Sequence, residues 1–136
     1  SETRTGPLAQ LVRAGRHRLP AGEPVEVGGD DAGPGPYDFL LAALGACTSM
    51  TMRLYADRKK IPVERFSVRL AHRRIHAEDC VDCETKDGDI GEITKEISIV
   101  GDVPEEARIR LMQIAEKCPV HKTLTHEIKI RSSLMP

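Results

Sequence analysis

The sequence predicts an α+β fold in which two helices pack together against an antiparallel sheet. Two observations carry this prediction: two long apolar segments have helical signals, and several short segments alternate apolar and polar residues as half-buried strands do. In chain order the predicted elements are β-β-α-β-β-α-β, an arrangement of the α+β class. The length of 136 residues allows one domain, predicted to span residues 1–136.

The first predicted strands form a hairpin near the N-terminus. Leu8–Arg18 and Val25–Val27 are predicted to be strands, joined by a turn that is rich in proline and glycine. The following stretch, Gly28–Pro36, has the composition of a connecting loop and resembles no phosphate-binding loop. It leads directly into the central helix.

Pro36–Lys59 is the predicted central helix. Pro36 suits a first helical position, and Asp38 places a negative charge in the first turn, where the helix dipole favours it. Phe39–Cys47 is apolar or small at nearly every position, which predicts burial on all sides, and Gly45 predicts close packing of a second helix. This uninterrupted run is well short of the ~18 apolar residues that a membrane span needs. A core helix of a soluble protein is therefore expected.

Two strands are predicted after the central helix. Val63–His76 alternates apolar and polar residues, and Glu92–Val100 carries three isoleucines at inward positions: Ile93, Ile97 and Ile99. The two strands are expected to form a long antiparallel pair. They flank an acidic loop that contains two cysteines.

The last predicted elements are a second helix and a short strand. Asp102 and Glu105 have the spacing of a capping box, and apolar residues recur at helical spacing as far as Cys118. Pro119 is expected to end this helix. His126–Arg131 alternates again and predicts a final strand.

Composition narrows the possible functions. The 20 basic and 21 acidic side chains give a net charge of −1 and are mixed along the chain, and only 3% of residues are aromatic. No nucleic-acid partner is expected, because neither a basic block nor stacking side chains are present.

Four cysteines are too few for a secreted disulfide scaffold, and the polar start shows no signal peptide, so the cytoplasm is the expected compartment. The missing initiator methionine suggests a trimmed chain or a fragment of a longer one.

Cys47 and Cys118 are the cysteines most suggestive of chemistry. Each belongs to an apolar helical segment, and the two helices are expected to pack together. Ordinary buried cysteines would fit the same pattern, since a free cysteine behaves as a small hydrophobic residue. His121, three residues after Cys118, favours a reactive thiol, because a nearby cation stabilises the thiolate that attacks electrophiles.

Cys80 and Cys83 form a CxxC motif that has three interpretations. With His76 the two could supply part of a metal site, they could be a redox dithiol, or they could be incidental thiols in a loop. The surrounding acidic residues disfavour a thiolate, which weakens the redox interpretation. We expect little or no bound zinc, because no fourth ligand is evident.

Two stretches resemble the OsmC/Ohr family, named after osmotically inducible protein C and organic hydroperoxide resistance proteins. They are GPYDFLLAALGACTSMTMRLYADRK, which contains Cys47, and LMQIAEKCPVHKTL, which contains Cys118. The resemblance spans roughly Ala14 to Ile130 and is closest to a subgroup with HAEDCxDCET in the loop. It implies an OsmC-like fold and an intertwined homodimer with two sites between subunits. It also implies that Cys47 attacks the peroxide, becomes a sulfenic acid, and is resolved as a disulfide by Cys118.

One departure from the family pattern concerns the charged residues. Peroxidase members use a glutamate near the start of the central helix and an arginine from the N-terminal hairpin to hold the thiolate and orient the peroxide. Here Asp38 occupies the neighbourhood of the glutamate, and Arg16 or Arg18 could supply the guanidinium. The resemblance therefore predicts the fold of this chain more directly than its activity.

Together these observations predict a cysteine-based peroxidase that reduces organic hydroperoxides with electrons from a dithiol. Its predicted catalytic residues are Cys47, Cys118, Asp38 and Arg16. No motif implies a flavin, haem or nucleotide cofactor. The alternative is a non-catalytic OsmC-like binding domain. It could then belong to a longer chain that also contains a hydrolase domain, as in some relatives. The departure at Asp38 and the additional CxxC loop favour that alternative.

Overall fold

The computed structural model describes residues 1–136 and confirms a mixed helix and sheet fold. It contains four strands and three helices: β1 Gln10–Ala14, β2 His17–Ala21, α1 Pro36–Lys59, β3 Arg65–His76, β4 Asp89–Val100, α2 Glu105–Ala115 and α3 Pro119–Leu124. β1 pairs with β2 and β3 with β4, each pair antiparallel. The chain divides into two compact units, residues 1–42 and 43–136.

The first unit contains a hairpin that is tighter than predicted. β1 and β2 pair from Gln10 with Ala21 to Ala14 with His17, so the chain reverses at Gly15 and Arg16. Gly15 has φ of 59°, a value that glycine adopts without steric cost. The predicted single strand over residues 8–18 was wrong, because this glycine turns the chain back in its middle.

Val25–Val27 is a short 3-10 helix instead of the predicted second strand. The backbone N–H of Gly28 donates to the carbonyl of Val25, and Gly28 has φ of 92°. A tight turn closed by a left-handed glycine leaves no extended backbone for pairing. Proline and glycine on both sides therefore outweighed the strand preference of the valines.

α1 has the predicted bounds, and its N-terminus is capped as the sequence indicated. The backbone N–H of Gly35 donates to Oδ2 of Asp38 at 2.9 Å, which satisfies a donor that the first turn of a helix leaves unpaired. Within one chain, however, α1 buries only one stripe of its surface: Leu44, Gly45, Thr48, Met52 and Ala56. The prediction that α1 is surrounded on all sides was therefore wrong for the single chain.

The outer face of α1 remains apolar and open. Met50 is 66% exposed and Leu54 is 68% exposed. By length and composition α1 could cross a membrane, with a mean hydropathy of 1.3 over 18 residues, of which 22% are buried. One such helix is weak evidence for a membrane, because core helices of soluble proteins meet the same test.

Gly45 packs against the sheet and not against a second helix. A Cβ at this position would lie 2.8 Å from Cδ1 of Leu70 on β3, closer than real side chains approach. The glycine therefore permits the close approach that was predicted, although the neighbour is a leucine side chain of β3. The predicted helix partner at this point was wrong.

β3 and β4 form the long antiparallel pair that the sequence predicts. Twelve residue pairs run from Arg65 with Val100 to His76 with Asp89. Burial alternates along β3, with Phe66, Val68 and Leu70 partly buried and their neighbours exposed. One face of this hairpin therefore packs inward, as a period of two residues requires.

Part of the core of residues 43–136 lies where α1, α2 and this hairpin meet. Its fully or nearly buried members are Met52, Ala56, Val63, Val103, Leu111, Ile114 and Ala115. Partly buried residues pack against them, including Phe66 of β3 and Ile97 and Ile99 of β4. Two helices thus share a core with an antiparallel sheet, as predicted.

α2 begins at Glu105 without the predicted capping box. Pro104 precedes the helix, and no side chain caps its first turn. Instead, the guanidinium of Arg108 donates to three backbone carbonyls, that of Ile99 in β4 at 2.8 Å and those of Gly101 and Val103 in the β4–α2 connection at 3.1 Å each. This arginine fixes the path of the chain between β4 and α2.

The C-terminal prediction was wrong in two respects. α2 ends at Ala115, and Pro119 begins the separate helix α3 instead of only terminating the previous one. Proline is favoured at a first helical position because its missing N–H would be unpaired there in any case. Residues 126–131 form no strand, because their alternating side chains have no strand of this chain to pair with.

Candidate active site

Cys47 lies near the middle of α1 and is a free, half-buried thiol. The adjacent Thr48 and the preceding turn at Leu44 belong to the buried stripe of the helix. Cys47 therefore sits at the edge between the packed side of α1 and its open side. Its thiol is held on a long, regular helix and not on a loop.

Cys118 is a free thiol that the protein buries completely. It is the N-cap residue of α3, and its Sγ accepts a hydrogen bond from the backbone N–H of His121 at 3.3 Å. Sγ also lies 3.5 Å from Oγ1 of the fully buried Thr48. The structure thus brings Cys118 against the residue that follows Cys47 on α1.

A charged cluster surrounds the segment that carries Cys118. Lys95 of β4 donates from Nζ to the carbonyl of Ala115 at 3.2 Å and to Nδ1 of His121 at 3.4 Å. The same ammonium lies 3.3 Å from Oε1 of Glu116, whose Oε2 is 3.2 Å from Nε2 of His121. Three side chains from β4, the α2–α3 turn and α3 therefore meet in one network.

His121 connects the two charged side chains of this network. Its Nδ1 lies 3.4 Å from the ammonium of Lys95, and its Nε2 lies 3.2 Å from the carboxylate of Glu116.

A cavity of about 390 Å³ opens beside this cluster. Its walls combine apolar side chains with the charged network: Leu44, Gly91, Ile93, Lys95, Glu116, His121, Leu124 and Thr125. Leu44 is one turn before Cys47 on α1, and His121 follows Cys118 on α3. The cavity therefore lies close to both cysteine-bearing segments and offers an apolar wall to a small molecule.

The predicted charged partners occupy the first unit of the chain. Asp38 accepts the hydrogen bond from the N–H of Gly35, so one of its oxygens caps α1. Arg16 lies in the turn between β1 and β2, whereas Arg18 lies on β2 opposite Arg13, and both side chains are exposed. Arg16 thus belongs to the turn and Arg18 to a strand, because the turn begins before Arg16.

A sequence model of the family described as OsmC-like protein matches residues 28–133. This chain belongs to the OsmC-like protein family. The matched region includes α1, Cys47, both strands of the long hairpin, Cys118 and the charged cluster. No curated protein matches the chain in sequence.

Solved structures of OsmC-like proteins share the fold at low sequence identity. An OsmC-like protein from Mycoplasma pneumoniae is 21% identical with a TM-score of 0.65, covering 85% of this chain and 78% of that one. An organic hydroperoxide resistance protein OsmC from Legionella pneumophila is 19% identical with a TM-score of 0.60 and coverages of 91% and 92%. One from Elizabethkingia anophelis is 17% identical with a TM-score of 0.58 and coverages of 92% and 91%.

The CxxC motif of this OsmC-like protein forms a disulfide. Cys80 and Cys83 are bonded to each other in the exposed segment between β3 and β4. The donor atoms of Cys80, Asp82 and Cys83 lie within 4.8 Å of one another, but sulfurs bonded in a disulfide are not thiolate ligands. His76 directs Nδ1 to Asp89 at 2.9 Å and does not belong to this group. The structure thus supports neither the proposed His76 ligand nor two free thiols.

Sequence reasoning did not single out Thr48, Lys95 or Glu116. Lys95 gave a signal that could have been used, because it shares the inward positions of its strand with Ile93 and Ile97. A lysine on the apolar side of an alternating strand needs a buried partner. Thr48 gave no comparable signal, since threonine is common on both faces of helices.

Proposed function

We propose that this OsmC-like protein is a cysteine-based peroxidase that reduces organic hydroperoxides, with Cys47 as the attacking thiol and Cys118 as the resolving thiol. The observation that carries the proposal is the contact between Cys118 and Thr48, which puts the second thiol against the turn of α1 that carries the first. Family membership supports the redox class, and two similar structures are those of organic hydroperoxide resistance proteins.

The proposed reaction has three balanced steps. The thiolate of Cys47 attacks the peroxide O–O bond of ROOH, forming Cys47 sulfenic acid and releasing an alkoxide that takes a proton to become ROH. The thiolate of Cys118 then attacks the sulfenic sulfur, forming a Cys47–Cys118 disulfide and, with a proton, water. A small dithiol finally reduces this disulfide, becoming a disulfide itself and restoring both thiols.

The cavity supports an organic substrate over hydrogen peroxide. Leu44, Ile93 and Leu124 give its wall apolar surface that could cover an alkyl or aryl group. Hydrogen peroxide would gain nothing from such a wall. The expected preference is therefore for a substrate such as cumene hydroperoxide.

Asp38 and Arg16 are proposed to orient the peroxide and to stabilise the thiolate of Cys47. Asp38 also caps α1, so its two roles must be separated experimentally. Asp38→Asn serves this purpose, because an asparagine oxygen can still accept the N–H of Gly35 but carries no charge. Turnover should fall about 10- to 100-fold while thermal stability is retained. A matching fall in Arg16→Gln but not in Arg18→Gln would identify the arginine.

We propose a homodimer, which the open apolar face of α1 supports, and a cytoplasmic location. Met50 and Leu54 expose large side chains on a helix that is otherwise rich in small residues. Proteins of this family are commonly dimeric, and burying this face against a second copy would remove its apolar surface from water. A reducing compartment would keep Cys47 and Cys118 as thiols. A stable folded monomer at micromolar concentration, measured by light scattering, would contradict the dimer.

The deciding experiment compares two single substitutions with the wild-type protein. Cys47→Ser should abolish turnover of cumene hydroperoxide, because a serine hydroxyl without a base is a poor nucleophile. Cys118→Ser should consume about one peroxide per chain and stop with Cys47 as sulfenic acid, which dimedone would trap. If the wild-type protein with a dithiol shows no turnover and Cys47 is never trapped, a non-catalytic binding domain takes the place of the enzyme.

A further inference from the structure

Lys95 holds both ends of the short segment that carries Cys118. Its ammonium contacts Ala115 and Glu116 before the cysteine and His121 after it. The side chain is only 10% exposed, although it belongs to a residue type that is almost never buried without a partner. Lys95 therefore connects β4 to the end of α2 and to α3, on both sides of the buried thiol.

The geometry indicates that Lys95, Glu116 and His121 form a clamp, which holds the segment that carries Cys118, and not a ligand site. An ammonium has three N–H donors, and here they have three partners: the carbonyl of Ala115, Nδ1 of His121 and the carboxylate of Glu116. A ligand in the adjacent cavity would find no unused donor on Lys95. The buried charge is instead satisfied by the segment that it holds.

The clamp acts on Cys118 through His121. The imidazole of His121 binds Lys95 and Glu116, while its backbone N–H donates to Sγ of Cys118. Fixing this residue therefore fixes a hydrogen bond to the sulfur. Oγ1 of Thr48 also lies 3.5 Å from the same sulfur atom, so Cys118 contacts both α1 and the clamped residue.

We infer that Lys95 is a positioning residue for Cys118, acting through His121 and Glu116 to hold this thiol in the orientation needed for disulfide formation. This inference rests on the proposed peroxidase function for its catalytic meaning. The step concerned is the attack of the Cys118 thiolate on Cys47 sulfenic acid, in which an S–S bond forms, the S–O bond breaks, and hydroxide leaves and takes a proton to give water.

Lys95→Met tests this inference, because methionine keeps the apolar stem of the side chain and removes the ammonium. In a single turnover with cumene hydroperoxide, the conversion of Cys47 sulfenic acid to the disulfide should slow about 10- to 100-fold, more than the oxidation of Cys47, on which Lys95 acts only as part of the cavity wall. Dimedone trapping and mass spectrometry measure the two steps separately. A substitution that only loosened the whole fold would change both.

A second measurement needs no peroxide. Cys118 is fully buried, so its alkylation by N-ethylmaleimide requires local opening. Lys95→Met should accelerate alkylation of Cys118 about 10- to 100-fold while leaving that of Cys47 unchanged, since the opening is confined to the clamped segment. This result would stand even if the wild-type protein formed no sulfenic acid, which would overturn the proposed function alone.

Lys117→Met is the matched control, because Lys117 is exposed, lies next to Cys118 and makes no contact with the clamp. It should leave both measurements at wild-type values. If Lys95→Met does not fold, Glu116→Ala removes the anionic partner at a 55% exposed side chain and should give about a 2- to 5-fold effect in the same directions. Unchanged disulfide formation and unchanged Cys118 alkylation in the folded variant would overturn the inference, as would an equal effect of Lys117→Met.

Discussion

The two pairs of cysteines in this protein lie in opposite environments. Cys47 and Cys118 are free thiols, the first half-buried on a long helix and the second buried at a helix start. Cys80 and Cys83 are bonded to each other in an acidic surface segment, with the side chain of Val81 98% exposed between them. The closely spaced pair is the more conspicuous in the sequence. In the distant pair, Cys118 is held by contacts with Thr48 and His121, so its neighbours and not its spacing indicate chemistry.

The strongest test of this comparison substitutes both pairs in the peroxidase assay. Cys47→Ser should lower turnover by at least about 1,000-fold, because the attacking nucleophile is lost. The double variant Cys80→Ser with Cys83→Ser should stay within about 2-fold of the wild type, since its sulfurs touch no part of the candidate site. Steady-state turnover with cumene hydroperoxide and a dithiol measures both. Equal losses would show that the loop is part of the catalytic cycle.

Substitutions in the core and in the cysteine loop should also differ strongly in their effect on the free energy of unfolding. Leu111 is fully buried beside α1, so Leu111→Ala should lower the free energy of unfolding by about 2–5 kcal/mol through lost burial and a cavity. Val81→Ala, next to the loop cysteines, should change it by less than about 0.5 kcal/mol. Urea unfolding followed by circular dichroism gives both values. A large effect at Val81 would mean that the loop packs against something in solution.

The loop disulfide should contribute modestly to stability. It closes a ring of only four residues at the end of a hairpin that β3 and β4 already hold together, so the unfolded chain loses little entropy. Removing it in the double serine variant should cost about 2 kcal/mol at most. Urea unfolding without reductant checks this value. A loss above about 4 kcal/mol would assign the loop a structural role.

Thr48 offers a finer test of the buried pair. Thr48→Val keeps the shape of the side chain but removes the hydroxyl beside Sγ of Cys118, at an expected cost of about 1 kcal/mol. Thr51→Val, at a half-buried position of the same helix, is the control and should be neutral within about 0.5 kcal/mol. Denaturation midpoints measure the difference. Identical effects would indicate that the Cys118 contact contributes nothing.

The smallest expected signal is the metal content. With both loop sulfurs bonded to each other, the purified protein should carry substoichiometric zinc or none. Elemental analysis of protein purified without chelator tests this expectation. One zinc per chain, lost in Cys80→Ser, would show that the reduced loop is a metal site.

Local sequence signals correctly predicted those elements in which neighbouring residues all favour the same secondary structure. Pro36 and Asp38 marked the start of α1, and strict alternation marked β3 and β4, where burial follows the same period. The N-terminal hairpin was predicted with the wrong bounds, because a single glycine, Gly15, decides where the chain turns. The strand predicted over residues 126–131 was wrong, because alternation alone does not make a strand without a neighbouring strand to pair with.

Of the residues at the candidate site, the two cysteines and His121 were singled out from the sequence. Cys47 and Cys118 stood out because they are rare residues in apolar segments. Lys95, Glu116 and His121 come together only when β4 packs beside the α2–α3 turn, and no spacing along the chain reports that contact. Charged residues are common, so their significance depends on burial, which the fold determines.

The guanidinium of Arg108 has a consequence for motion near Cys118. From the first turn of α2 it binds three carbonyls of β4 and the connection before the helix, while Lys95 binds the carbonyl of Ala115 at the other end of the helix. A helix fastened at both ends cannot slide or rotate without breaking several hydrogen bonds at once. Amide protons within α2 should therefore exchange with solvent only when the whole core opens, whereas those of residues 116–121 can exchange by a local event. Any displacement of Cys118 during a reaction cycle should therefore be a movement of residues 116–121 alone, while α2 stays in place.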